Sequence, residues 1–483
     1  MVHLPDSLLK DVRKRLLTGL AAHPADPADS TAEGGDGSGA EDQEITERVL
    51  RYLRNTAETT VDVEGTDVEP PERAGTTFVT TGDSPAMGLR DAAAPRGPRQ
   101  RPHPGGVLAG EDRQWVEDLL VGLLHRHWFS IALDPYANAF NRTASGDSWD
   151  EDETEAPSDW TWERKFELDS LSYGPDLAWR LWRATGRTDV VGGSFREAAR
   201  RIVETVETEQ HHEERSAYFF RRQGVPAQDT LARDGRGQPT TPCGLVWSGF
   251  RPSDDACEMG FNVPGNHYLA LALDRLADLL DGPASTPADG GDGPSAEGPG
   301  VDSGELAQRA RELCGQIRAA LAEHGTMRLA DGTQVWAYEV DGGGGALFLD
   351  DANVPSLLSL PYLGCTDPED PLYAATRRAV LSPANPYYYA GSALSGVGSP
   401  HTPPGHVWPI GLAIQGLTST DDDEKRRILR TLMRTDGGTG MMHEGVDAED
   451  PSRFTRAWFS WANAMFCELA LDLAGVRPSH GTG

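Results

Sequence analysis

Four stretches of the chain gather side chains capable of chemistry. The first is Trp247-Ser-Gly-Phe-Arg-Pro-Ser-Asp254-Asp255-Ala-Cys257, two adjacent carboxylates after an arginine and two aromatics. The second is Phe348-Leu-Asp350-Asp351-Ala-Asn353, and the third is Ser399-Pro-His401-Thr-Pro-Pro-Gly-His-Val-Trp408. The fourth runs from Met442-His443-Glu444-Gly445 to Arg453-Phe-Thr-Arg456-Ala-Trp458-Phe-Ser-Trp461-Ala-Asn463. Carboxylates, amides and guanidinium groups hydrogen-bond hydroxyls, and an indole face stacks on C–H groups, so the set suits a sugar. Cleaving a glycoside needs two carboxyl groups, one to protonate the leaving oxygen and one to activate water or attack carbon. Asp254 or Asp255, with Glu444, supplies such a pair. Each motif also has a plainer reading. Paired aspartates cap helices and turns, Asp350 to Asn353 suits a cap for a helix starting near Val354, and tryptophans at helical spacing are usually core. A calcium loop would show more alternating oxygen ligands than these stretches do.

The elements that must position these loops are mostly helical. Apolar residues recur at three- and four-residue spacing in ten segments. They are Leu8–Leu20, Glu44–Ala57, Glu111–Phe129, Leu171–Thr185, Ser194–Gln210, Asn266–Asp281, Glu305–His324, Leu372–Leu381, Asp422–Arg434 and Trp458–Leu473. Strand signals are short, at Val335–Val340 and Ala346–Leu349. This pattern predicts an all-α fold with the motifs in joining loops. The expected organisation is one domain over 1–483. Pro24–Gln43 and Gly282–Gly304 are rich in Pro, Gly, Ser and Asp, and they read as disordered insertions.

Lys and Arg number 44 against 75 Asp and Glu, a formal charge of −31. That excess argues against nucleic acid and against an anionic membrane surface as partners, since both call for clustered cations. No apolar run is long enough to span a bilayer, and the N-terminus lacks the apolar core of a signal peptide. Five scattered cysteines without a CxxC pair read as reduced thiols in a cytoplasmic protein, and no spacing fits a zinc site. The expectation is therefore no metal and no cofactor. The Ala-, Gly-, Asp- and Arg-rich composition points to a GC-rich, bacterial source.

The chain resembles glycoside hydrolase family 125, the exo-α-1,6-mannosidases. The resemblance rests on Thr81-Gly-Asp-Ser-Pro-Ala-Met87 with Leu89-Arg90-Asp91, Ile131 through Asn141, and Glu163-Arg-Lys-Phe-Glu167-Leu-Asp169-Ser170-Leu. It continues through Gly244–Cys257, Tyr338–Gly342, Leu347–Leu363, Gly398–Thr418, Met442–Glu444 and Arg456–Asn463, in the family's order from about Thr76 to Leu473. It implies an (α/α)6 barrel, with six inner and six outer helices. It also implies inverting, metal-independent removal of terminal non-reducing α-1,6-linked mannose from a mannose-containing oligosaccharide. The general acid then falls on the Asp254–Asp255 step, with Asp254 favoured and Asp255 left to hold a sugar hydroxyl. The base falls on Glu444. Substrate-binding residues would be Arg90, Asp91, Trp247, Asp255, Asp351, Asn353, His401, Trp408 and Arg456. An inverting pair stands about 6.5–9.5 Å apart, and the acid needs a raised pKa, which burial or a neighbouring carboxylate would supply.

One segment departs from the family. Its usual Met-Trp-Leu-Arg-Asp becomes Met87-Gly88-Leu89-Arg90-Asp91 here, followed by the basic, low-complexity Ala92–Gly106. The change lies beside the expected sugar pocket. Two rival readings follow: an (α/α) barrel hydrolase of another sugar specificity, and a catalytically impaired carbohydrate-binding relative.

Overall fold

The computed structural model describes residues 2–23, 37–82, 84–94, 110–284 and 302–476. Its helices in chain order are α1 (Asp6–Ala22), α2 (Gly37–Thr60), α3 (Leu89–Ala93), α4 (Gly110–Leu133) and α5 (Leu168–Thr185). They continue with α6 (Phe195–Glu209), the single turns α7 (His212–Arg215) and α8 (Ala232–Gly235), α9 (Val263–Asp281) and α10 (Ser303–His324). The last are α11 (Leu360–Leu363), α12 (Pro371–Val380), α13 (Pro409–Leu417), α14 (Asp422–Arg434) and α15 (Ser460–Leu473).

Burial sorts these helices into two rings, the (α/α)6 barrel. Helices α3, α5, α9, α11, α13 and α15 are buried round most of their circumference and form the inner ring. Helices α2, α4, α6, α10, α12 and α14 alternate with them in sequence and form the outer ring. α6 and α14 show why: each carries one apolar stripe opposite a charged face. α5 packs on α3 and α9, α13 packs on α15, and α1 lies outside α2. One hydrophobic core runs from Leu8 to Ala474.

Three inner helices start with proline in the first turn, namely Pro264, Pro361 and Pro409. Proline there gives up an N–H that would lack a helical partner and brings a suitable φ. Asn262 completes the start of α9 by accepting from the Gly265 N–H at 2.8 Å. Gly416 lets α13 and α15 approach, because a Cβ there would lie 2.7 Å from Leu469.

The strands are two- and three-residue antiparallel pairings that tie loops together. Phe261–Asn262, Glu339–Val340 and Ala346–Leu347 form one set. Met87–Gly88, Ala139–Phe140 and Thr161–Glu163 form another. No large central sheet exists among the described residues.

The described ends of the two expected insertions are ordered parts of the fold, contrary to the reading of their composition. Residues 37–43 belong to α2, and Asp42 is buried because Arg426 of α14 donates to it at 2.8 Å and to Glu41 at 3.0 Å. At the second insertion, Ala284 is buried with its carbonyl held by Arg196, and Asp302 caps α10 through the Gly304 N–H. Positions 24–36 and 285–301 lie outside the described residues, as does 95–109. Of the altered stretch after Asp91, only Ala92 to Ala94 are described, and they are buried. All five cysteines are thiols. Among the described residues, no helix is long and apolar enough to cross a membrane. No cluster of three His, Cys, Asp or Glu residues among them is arranged to hold a metal ion.

Candidate active site

The loops that lead into the inner helices meet at one end of the barrel. The Met87–Gly88 pairing and the Leu89 N–H bond to the Asn138 carbonyl fix the start of α3, which presents Arg90 and Asp91. Arg90 is almost fully buried, and its guanidinium serves four carboxyl groups. It donates to Glu167 at 2.7 Å, to Asp254 at 3.1 Å and to Asp91 at 3.2 Å, and it lies 3.5 Å from Asp169. Its face rests 6.0 Å from the centre of the Trp461 ring, which joins α3 to α15.

One cation cannot keep four clustered carboxyl groups ionised when two of them, Glu167 and Asp169, are fully buried. Burial pushes Glu167 well above the usual carboxylate range, with the Asp254 charge adding to it. Burial also carries Asp169 up to about 6 and raises Asp91. Asp254 goes the other way. Burial acts to raise it, but the Arg90 guanidinium, the Lys165 ammonium and a hydrogen bond with Glu167 outweigh that and hold it low. The expectation of an acid with a raised pKa is thus not met at Asp254 itself. The raised carboxyl beside it is Glu167.

The aspartate turn is held from every side. Gly249 and Phe250 both donate to the Phe166 carbonyl, Arg251 N–H bonds the Asp255 carbonyl at 2.7 Å, and Asp254 N–H bonds the Arg251 carbonyl at 2.9 Å. Arg251 is locked to buried Glu339, whose other oxygen takes the Glu258 and Met259 N–H groups. Lys165 Nζ donates to the Asp254 carbonyl at 2.9 Å. Asp254 itself has φ 70°, in the left-handed region costly for a residue with a Cβ. The turn leaves the Asp254 side chain 31% exposed, whereas Asp255 is 1% exposed.

Asp351 and Asn353 buttress this turn. Ser253 Oγ donates to Asp351 Oδ2, and Asn353 Nδ2 donates to the Pro252 carbonyl at 2.6 Å. Burial holds the Asp351 carboxyl up at about 6. No helix starts near Val354 as the capping reading expected; Asp350 instead accepts the Leu357 and Leu358 N–H groups of the turn that leads into α11, and Asp351 accepts the Asn353 N–H at 3.4 Å.

His401 lies 3.0 Å through Nδ1 from Asp255 Oδ1. Burial acts to lower its pKa, but the Asp255 bond and the charges of Asp254, Asp255 and Glu444 raise it to about 9. His401 thus carries a proton near neutrality and stands within electrostatic reach of both carboxylate motifs. Glu444 sits on a small ladder in which its N–H meets the Thr455 carbonyl and Gly445 pairs with Thr455. Its Oε1 is 3.1 Å from Arg456 Nε. Arg456 also has a left-handed φ of 53°, and its carbonyl bonds buried His443. The Arg456 charge reaches Asp91, which closes the circuit back to Arg90.

Arg90, Asp91, Asp254, Asp255, His401, Glu444 and Arg456 therefore converge, with Asp351 and Asn353 one step behind. Trp247 and Trp408 do not join them. Trp247 is fully buried, stacked 3.6 Å from His212 and beside Phe166, so it offers no face to a sugar. Trp408 is buried at the start of α13, where Nε1 donates to Thr402 and braces the His401 loop from behind. The sequence reading missed Lys165, Glu167, Asp169 and Ser253 as site residues. The signal was present in the charged run Glu163 to Asp169 just before a helix whose first turns carry no solvent face.

The His401 charge sets a pH dependence of stability. Its folded pKa near 9 exceeds the ordinary value of about 6.5, so its contribution is full below about pH 6.5 and is lost as pH rises through about 9. Thermal unfolding of the wild type and His401→Gln should differ most below about pH 6.5 and converge towards about pH 9.5. A constant difference across that window would remove the charge from the argument.

Residues 42–471 match the family described as metal-independent alpha-mannosidase (GH125). A metal-independent alpha mannosidase of Streptococcus pneumoniae, solved as a non-productive substrate complex with alpha-1,6-mannobiose, is 34% identical. It superposes with a TM-score of 0.84 over 99% of this chain and 100% of that one. The Meiotically up-regulated gene 157 protein of the fission yeast Schizosaccharomyces pombe is 35% identical over 460 residues, 91% of this chain and 84% of its own length.

Proposed function

Because the chain belongs to the metal-independent α-mannosidases of glycoside hydrolase family 125, we propose that it removes terminal non-reducing α-1,6-linked mannose from oligosaccharides with inversion at the anomeric carbon. The observation that carries the roles is the convergence of Asp254 and Glu444 around His401. Asp254 is the general acid, being the exposed member of the aspartate pair. Glu444 is the base that takes a proton from the attacking water. Arg90, Asp91, His401 and Arg456 bind the terminal sugar, and Asp255, Asp351 and Asn353 hold the binding groups in place. The α-1,6 linkage is supported by the mannobiose bound to the pneumococcal relative.

The shared core from Leu8 to Ala474 supports a single domain over 1–483. Five cysteines kept as thiols support a cytoplasmic enzyme, and the composition a bacterial one. The acidic surplus leaves nucleic acid and anionic membrane outside the partner list.

Anomer-resolved proton NMR during hydrolysis of α-1,6-mannobiose tests the reading. The first mannose to accumulate should be the β-anomer, before mutarotation. α-Mannose appearing first would mean retention and would remove the base role from Glu444. Binding without turnover would identify a catalytically impaired relative, and turnover confined to another glycoside would move the specificity.

A further inference from the structure

Asp254 is exposed to the site, yet it is the carboxyl that the surrounding cations hold as an anion. A general acid must hold a proton when the glycosidic oxygen arrives. The nearest group able to store one is Glu167, immediately before α5. Its Oε2 takes the Arg90 N–H at 2.7 Å and the Ser170 hydroxyl at 3.4 Å. Its Oε1 is fully buried and receives no donor among the described residues. An ionised oxygen so placed would be costly, whereas a protonated one has an acceptor beside it in Asp254. The same guanidinium spans both carboxyl groups, one on each terminal nitrogen, and so fixes them side by side. The other titratable groups facing Glu167 are Asp169 in the first turn of α5 and the Cys257 thiol. Neither donates to Oε1.

We infer that Glu167 is a positioning residue that holds one proton jointly with Asp254 and supplies it to the acid during leaving-group departure. The inference rests on Asp254 being the acid. The Glu167 O–H bond breaks as its proton passes to the Asp254 carboxylate. Asp254 gives a proton to the glycosidic oxygen while the C1–O bond breaks and its electron pair stays on that oxygen. Water bonds to C1 and its proton goes to Glu444. Glu167 ends as a carboxylate against Arg90, and exchange with solvent returns the proton from Glu444 to the pair. Burial of Glu167 agrees with this storage role, since burial disfavours the ionised form and raises the pKa of the carboxyl.

Glu167→Gln tests it, because the amide can still accept from Arg90 and donate to Asp254 but has no proton to give up. For α-1,6-mannobiose, kcat should fall by about 100-fold or more, and for a dinitrophenyl α-mannoside by less than about tenfold. The alkaline limb of the mannobiose pH–rate profile should move down by about one unit or more, since the proton lost there belongs to the pair. Glu167→Asp, which keeps a titratable carboxyl, should restore the limb while remaining slower on mannobiose than on the aryl substrate. Equal losses on both substrates, or an unmoved limb in the Gln variant, would overturn the inference. If the Gln variant does not fold, as judged by circular dichroism, the Asp variant decides: an equal loss on both substrates there overturns it too. Asp254→Asn separates the two levels of the argument. If it shows no dependence on the leaving group, the acid assignment has failed. If it does and Glu167→Gln does not, only the role of Glu167 has failed.

Discussion

Glu444→Gln should lower kcat for α-1,6-mannobiose by at least about 1,000-fold while changing the affinity for a mannose oligosaccharide only slightly. The amide is isosteric, and its oxygen can still accept from Arg456 Nε, which lies 3.1 Å from Glu444 Oε1. The ladder that places the residue runs through backbone groups of Glu444, Gly445 and Thr455 and the Thr455 hydroxyl, and is untouched by the change. What disappears is the lone pair basic enough to take a proton from water. Calorimetric titration with the substrate, alongside the rate, separates binding from chemistry. A fully active variant would place the base elsewhere, and a variant that neither binds nor turns over would assign Glu444 to holding the sugar.

The helices that sequence reading found are the amphipathic ones, for a physical reason. α6 and α14 alternate apolar and charged residues because one face meets solvent, and their spans were legible to within a residue or two. α13, Pro-Ile-Gly-Leu-Ala-Ile-Gln-Gly-Leu, is buried almost all round, so it has no period to detect. α3 and α11 are too short to show one. Half of the inner ring, α3, α11 and α13, therefore escaped, while α5, α9 and α15 were found, with α5 and α9 starting three residues earlier than their spacing indicated. Composition misled in the opposite direction at Glu41 and Asp42, polar residues in a Gly- and Ser-rich stretch that α14 draws into helix through Arg426.

For the site, resemblance located residues that spacing alone left open. Asp254, Glu444, His401 and Arg90 lie far apart in sequence, and only the barrel joins them. Trp247 and Trp408 show the limit of reading aromatics as sugar platforms: both are core, and their indoles brace loops from within. Gly88 stands where the family's tryptophan is expected. A Cβ there would lie 3.1 Å from Asp91 Oδ2, so any side chain at this position presses on the binding carboxylate. Its φ of −72° is open to other residues, so the glycine answers to no backbone demand. The distribution of protons was not legible at all. Two adjacent aspartates in a pocket looked like an acid raised by its neighbour, but Arg90 and Lys165 reverse the sign at Asp254 and leave the raised carboxyl on Glu167.

That reversal makes Asp254→Asn the most discriminating substitution after Glu444→Gln. The variant keeps the left-handed turn, since asparagine tolerates positive φ at least as well as aspartate does. Its amide oxygen can still accept from Arg90. It cannot deliver a proton. For α-1,6-mannobiose, whose leaving group is a sugar alcohol, kcat should fall by about 100- to 10,000-fold. For a dinitrophenyl α-mannoside, whose oxygen departs as a stable anion, the fall should be within about tenfold. Rates on a series of aryl mannosides should then steepen with leaving-group pKa in the variant and stay flatter in the wild type. Should Asp255→Asn show that pattern instead, the acid is the buried aspartate, and the His401 bond at 3.0 Å would have to break for it to reach substrate. If neither variant distinguishes leaving groups, the proton comes from outside the aspartate pair, and Glu167 with its unpartnered oxygen becomes the first carboxyl to examine.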